Sequence, residues 1–334
     1  MPEIQELFRE VTRGARPNPG ALERQTRRQR RRANRRKAGV YVLTAFLMVA
    51  IGVAGILAAS RPGTPEPAKP PPTETSPFGW FVLVPIDGGA STPFALDSAR
   101  PNATWWRYSP DRSQVAFTEP DARGVGQIWI EDADGTNARQ LTTGPRESAG
   151  PEWSPDGTRF TFQREDAHGR NQICVLDIAT GEVTQLTHHQ MGGHALLPKW
   201  SPGGTRIVFE YENALYTIDP TGGPAHLLVP PEAYQPEWSS RGELAFVSVK
   251  PITGLQIERA DGSGPTTITS SKDVSWPHFS PDGTKLAYGI CPADGSPCTA
   301  WIYDLTTGTK RIFRRDAEVI TWKDDRTLVV VPER

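Results

Sequence analysis

The chain has 334 residues and a formal net charge of −1, enough for one large domain with appendages. The near-neutral total conceals a split, because Met1–Lys37 carries 12 Lys+Arg against 4 Asp+Glu and the remainder carries 25 against 34. A basic run of this kind suits nucleic acid or anionic lipid; it ends where an apolar stretch begins, which makes lipid the expected partner and excludes nucleic acid.

That stretch, Ala38–Ser60, has no charged residue in 23 positions. As a helix it would be roughly 34 Å long and would cross a hydrocarbon core of about 30 Å. The preceding basic block predicts a cytoplasmic N-terminus, with the rest of the chain outside. Leu57-Ala-Ala-Ser60 resembles a weak signal-peptidase site, but the apolar region exceeds the usual length of about 7–15 residues, so a retained anchor is the expectation. Ile4, Leu7, Phe8 and Val11 would share one helical face of the stub. Next, Arg61–Pro77 contains seven prolines in 17 residues; fixed φ angles and missing donors predict an extended spacer.

From Tyr108 onward one phrase recurs: Tyr108-Ser-Pro-Asp111, Trp153-Ser-Pro-Asp-Gly157, Trp200-Ser-Pro-Gly-Gly204, Trp238-Ser-Ser-Arg-Gly242, Phe279-Ser-Pro-Asp-Gly283 and Trp322-Lys-Asp-Asp325. A period of about 40–45 residues with strand-like flanks marks propeller blades. Ser-Pro-Asp-Gly fits a type I turn, with proline presetting φ and glycine accepting a positive φ. A second hairpin follows each phrase, as in Gln172–Asp177 and Val183–Thr187, so each repeat supplies four antiparallel strands, a to d, from axis to rim.

Gly79–Gly89 with Pro93–Leu96 reads as an outer hairpin lacking its inner partner, and Thr327–Val331 completes an inner hairpin lacking its outer one. Joining them closes the ring and removes open edges. The expected architecture is all-β: a six-bladed β-propeller over 78–334, closed by N- and C-terminal strands and preceded by a basic cytoplasmic stub (1–37), a single transmembrane helix (38–60) and a Pro-rich linker (61–77).

Trp-Ser-Pro-Asp-Gly and the hairpin ends Gln140-Leu-Thr142 and Gln185-Leu-Thr187 resemble the TolB family of propellers and their WD-like Pro-Asp repeats. The resemblance covers 78–334, with its clearest motifs in blades 2 and 5; Arg241-Gly and Lys323-Asp-Asp325 depart from it. It implies the propeller fold and an extracytoplasmic location. TolB is a soluble periplasmic protein, and the anchor expected here sets this chain apart from it.

In this topology the Ser-Pro-Asp-Gly turns and the outer hairpin turns share one face, and the longer b–c and d–a loops occupy the other. Loops on a rigid scaffold are where recognition concentrates. Four residues before the proline of each Pro-x-aromatic pattern stand Glu147, His194, Glu232 and Asp273, with Asn102 and Asp316 at the matching places in the first and last repeats. These six are candidates for a ring at the channel mouth that would hold a cation, an amine or a basic segment; the alternative is that short polar side chains bond the turning backbone there.

His168, His188, His189 and His194 lie in adjacent loops without tight ligand spacing, so no metal site is expected. Asp132-Ala-Asp134-Gly lacks the later ligands of a calcium loop and reads as a hairpin turn. Cys291 and Cys298 flank one b–c loop and form a candidate disulfide outside the cytoplasm; Cys174 reads as a buried small hydrophobe.

The chain contains no Gly-x-Ser-x-Gly, phosphate-binding glycine loop or His-Glu-x-x-His, so neither an enzyme nor a cofactor is expected. The leading expectation is a membrane-anchored extracytoplasmic propeller that binds a protein or cell-envelope ligand on its loop face. Two alternatives stay open: a transmembrane signalling component whose stub contacts a regulator, and a propeller enzyme acting on a glycan or small molecule. Nothing in the pattern specifies an oligomeric state.

Overall fold

The computed structural model describes residues 81–93, 100, 102–188, 193–229, 231–250, 252–259 and 264–332. The expected stub, transmembrane helix and linker lie outside these residues, as does His189. Among the described residues, no helix is long and apolar enough to cross a membrane.

Among the described residues, twenty-four strands form six four-stranded antiparallel sheets. Two strands, β1 (Val82–Pro85) and β2 (Thr92–Pro93), precede the first full blade. Blade 1 is β3 (Thr104–Tyr108), β4 (Gln114–Pro120), β5 (Gly126–Asp132) and β6 (Arg139–Gln140); blade 2 is β7 (Ser148–Trp153), β8 (Arg159–Glu165), β9 (Asn171–Asp177) and β10 (Val183–Gln185). Blade 3 is β11 (Ala195–Trp200), β12 (Ile207–Tyr211), β13 (Ala214–Ile218) and β14 (His226–Val229). Blade 4 is β15 (Ala233–Trp238), β16 (Leu244–Ser248), β17 (Gly254–Glu258) and β18 (Thr266–Thr269). Blade 5 is β19 (Val274–Phe279), β20 (Lys285–Ile290), β21 (Thr299–Asp304) and β22 (Thr309–Arg315).

Blade 6 joins the two ends of the chain, in the order β2-β1-β24-β23, with β23 at Ala317–Asp324 and β24 at Thr327–Pro332. Val82 pairs with Val330 and Val84 with Leu328, and Ile86 N–H donates to the Arg326 carbonyl at 2.8 Å. The first inner strands of successive blades touch in sequence, and β23 returns to β3. The ring is closed.

Local chemistry explains the repeat. In blade 2, Gly157 sits at φ +70° and donates its N–H to the Ser154 carbonyl, while the Ser154 hydroxyl donates to Asp156, which also accepts from Thr158 N–H. These polar groups of the turn are thereby satisfied without help from other blades. The Gln-Leu-Thr ending has a similar cause: Thr142 Oγ1 accepts from Ile128 N–H and donates to Gln127 Oε1, both at 2.8 Å. Thr187 repeats this with Ile173 and Gln172.

The core lies in the seams between blades. Ile128 and Ile130 of blade 1 pack with Phe160, Phe162 and Leu176 of blade 2, and each such buried side chain contributes about 1.5–3 kcal/mol. Alternation along the strands directs one face into each seam.

Candidate functional site

Each inner strand begins at the loop face and ends at its repeat turn, which carries a serine in blades 1 to 5. Within it, the residue just before the repeat aromatic faces the propeller axis: Arg107, Glu152, Lys199, Glu237, His278 and Thr321, one per blade. They form a charge belt. Arg107 Nε donates to Glu152 Oε1 at 2.7 Å, Lys199 Nζ pairs with both Glu152 and Glu237, and His278 Nδ1 lies 3.6 Å from Glu237 Oε1. The five ionisable side chains are 17% exposed or less, and Thr321 completes the circle.

Electrostatics around the belt follow from burial and alternation of sign. Burial alone would raise the Glu237 carboxyl, but Lys199, the His278 contact and Arg107 from the opposite blade outweigh it and hold it down to about 2. Burial, with Arg107 and Lys199, pushes His278 below the usual histidine value despite its Glu237 partner. The imidazole is therefore neutral at neutral pH, and two cations balance two anions. Such a belt binds inner strands to one another, since removing one member strands its partners in a dry site.

One step closer to the loop face every inner strand carries a β-bulge: the register shifts between Thr104 and Arg107, Ala149 and Glu152, Leu196 and Lys199, Tyr234 and Glu237, Ser275 and His278, and Val319 and Thr321. In five blades a bulge residue is left-handed: Trp105 (φ 58°), Gly150 (66°), Leu197 (50°), Gln235 (53°) and Trp276 (47°). Glycine takes this conformation freely, whereas a side chain there costs roughly 1–2 kcal/mol. Two tryptophans accept that cost and meet edge to face, with centroids 5.8 Å apart. Trp105 lies beside Gly150, where a Cβ would come within 3.8 Å of the indole. Trp276 N–H donates to Gln235 Oε1 at 2.8 Å. The indoles are half-buried and offer apolar planar surface above the charged belt.

The six residues expected to ring the mouth stand at or just before the starts of the inner strands. Several serve the backbone: the carbonyls of Glu147, Glu232 and Asp273 accept from Glu165, Val249 and Cys291. Glu147 lies against Gly126 of blade 1, and burial together with Glu165 raises its carboxyl. His194 Nδ1 accepts from Asn171 N–H at 3.2 Å, again reaching the preceding blade. Glu232 (φ 79°) pairs loosely with Lys250 at 3.5 Å, Asp316 is left-handed (φ 55°), and Asn102 is exposed in a turn. No hydrogen bond or ion pair joins any two of the six among the described residues.

The belt left a trace in the sequence, though not its geometry. The middle residue of Pro-x-Trp alternates in sign through Glu152, Lys199 and Glu237, His278 follows in Pro277-His278-Phe279, and Arg107 stands at the matching place ahead of them. Elsewhere, Cys291 and Cys298 are joined by a disulfide, and Cys174 is buried with its thiol pushed up to about 12. Among the described residues no three His, Cys, Asp or Glu side chains converge as a metal site would require.

The architecture is that of a six-bladed β-propeller with an aromatic channel mouth above a charged belt. A family model described as the TolB beta propeller domain matches residues 98–219, from ahead of blade 1 to the third strand of blade 3. The Tol-Pal system protein TolB of Anaeromyxobacter dehalogenans is 42% identical over 52 residues, which cover 16% of this chain and 12% of that protein. The crystal structure of TolB from Acinetobacter baumannii aligns with TM-score 0.55 and 18% identity, covering 76% of this chain and 63% of that one. A puromycin-hydrolyzing peptidase of Mycobacterium tuberculosis aligns with TM-score 0.52 and 16% identity over 68% of this chain and 39% of that chain. These structural likenesses establish the propeller fold and leave activity to the chain's own residues.

Proposed function

We propose that this chain is a membrane-anchored, extracytoplasmic propeller that binds a protein or cell-envelope ligand at the loop-face mouth of its channel and catalyses no reaction. The paired indoles of Trp105 and Trp276, held half-buried on left-handed backbone, carry this reading. Large rigid aromatic surface at a mouth supplies binding energy at low entropic cost, and the belt beneath gives a firm floor. The Cys291–Cys298 disulfide supports an oxidising compartment. The uncharged stretch Ala38–Ser60 behind a basic block supports the anchor and its orientation. The similarity to TolB propellers over residues 98–219 supports the extracytoplasmic location.

The test is in-cell photocrosslinking with the probe at Gln235, beside the indoles. A discrete crosslinked partner that disappears in W105A/W276A supports the reading. The same partner captured equally by the double variant sinks it. Protease protection of the propeller in intact cells tests the topology separately.

A further inference from the structure

Blade 4 breaks the repeat in a way that keeps its turn intact. In blades 1, 2 and 5 the turn serine donates its hydroxyl to an aspartate two residues on: Ser109 to Asp111, Ser154 to Asp156 and Ser280 to Asp282. In blade 4 that place is held by Arg241. Ser239 instead donates to Glu243, while its oxygen accepts from the N–H groups of Arg241 and Glu243 at 3.1 Å. The carboxylate has moved two residues along, so the turn no longer needs position 241 and a cation stands there.

Arg241 lines a cleft of about 100 Å³ between blades 4 and 5. Leu244 pairs with Glu258, which brings Arg259, just beyond β17, to the same end of the blade. Neither guanidinium has an ion-pair partner among the described residues. Ile257, Ile268, Tyr303 and Leu305 form apolar walls, and Glu243 also borders the cleft. Two guanidiniums and one carboxylate leave a net charge of +1 over apolar walls. A monoanion with an aliphatic stem matches both properties, whereas a dianionic phosphate would be left with an uncompensated charge.

We propose that this cleft, on the turn face opposite the channel mouth, is a binding site for a carboxylate carried on a short aliphatic chain, with Arg241 and Arg259 holding the carboxylate and Ile257, Ile268 and Leu305 the stem. Guanidinium forks match carboxylate oxygens bidentately. The site is independent of the ligand proposed for the mouth.

The experiment follows the side-chain Nε–Hε resonances of Arg241 and Arg259 in the full-length protein, at constant ionic strength, during titration with acetate, butanoate, hexanoate and inorganic phosphate. Both resonances should shift saturably, with affinity rising about fourfold per added methylene. Arg241→Asp, which restores the acid of the other turns, should abolish the response, and Arg259→Gln should weaken it at least tenfold. If R241D fails to fold, R259Q decides alone. Non-saturating shifts, equal response to chloride, no dependence on chain length, or binding retained in the variants would overturn the proposal. Phosphate binding more tightly than hexanoate would overturn the carboxylate assignment.

Discussion

The indole of Trp322 donates its N–H to the main-chain carbonyl of His278 at 2.8 Å, so the repeat aromatic of one blade is tied to the belt residue of the blade before it. Trp153 makes the same bond to the Arg107 carbonyl at 3.0 Å. Scaffold and channel lining are thus one bonded unit in these two seams.

Trp200 and Trp238 occupy the same repeat position, yet their buried indole N–H groups have no partner. Trp322→Phe removes a hydrogen bond and strands a carbonyl, whereas Trp200→Phe removes an unsatisfied donor. The first should therefore cost about 1–3 kcal/mol more than the second. Urea unfolding of both variants measures the difference, and equal losses would show that the bond contributes nothing to closure.

Lys199 stands between Glu152 and Glu237. Lys199→Met keeps the bulk of the stem and leaves two carboxylates facing each other in a buried site, with an expected loss of about 3–5 kcal/mol. Adding Glu152→Gln and Glu237→Gln to K199M should recover part of that loss. A triple variant less stable than the single one contradicts the belt as an electrostatic unit.

Acid should weaken the propeller in two stages. The folded protein holds His278 below its ordinary value, so the unfolded chain takes up the proton first, and stability falls as pH drops below about 6.5. Glu237, held down to about 2, adds a second loss beginning near its unfolded value of about 4.3 and continuing towards pH 2. His278→Gln should flatten the upper stage, while the lower one persists, reduced, through Lys199 and Arg107. Denaturation midpoints at half-unit pH steps report both; an unchanged slope around pH 6 in H278Q assigns that stage elsewhere.

The Cys291–Cys298 bridge closes a short loop with a sequence separation of 7. In the chain-entropy description, opening it costs roughly 2–3 kcal/mol. Cys291→Ser/Cys298→Ser should lower the melting temperature, and adding reductant should then have no further effect. Thiol titration of the native protein should find no reactive group, because Cys174 is buried with its thiol pushed up to about 12. Unfolding without reductant should expose one thiol, and two or three would contradict the disulfide.

Blade number and strand order were legible because each depends on chemistry within about 45 residues. Turn serines and aspartates satisfy their own backbone, and alternating hydrophobes set one face of each strand, so repetition along the chain counts blades directly. The unpaired hairpins at the two ends pointed to the same closure that Val82–Val330 pairing provides.

The site depended on geometry that no local pattern contains. Glu147, His194, Glu232 and Asp273, each four residues before its proline, stand ahead of their strands; the first two lean on the preceding blade. A bulge in every inner strand shifts the register, and it is the bulge that sends Trp105 and Trp276 into contact. Arg241-Gly departs from the repeat in sequence, and only the fold puts Glu243 in the missing carboxylate's role.

By itself, then, the sequence determined the propeller, its six blades and the means of closing them, because short-range hydrogen bonding and side-chain alternation repeat along the chain. Only the tertiary structure decided which side chains meet at the axis. Residues about 45 positions apart become neighbours through closure of the ring, and burial of charge there makes the pairing of Lys199 with Glu152 and Glu237 energetically decisive.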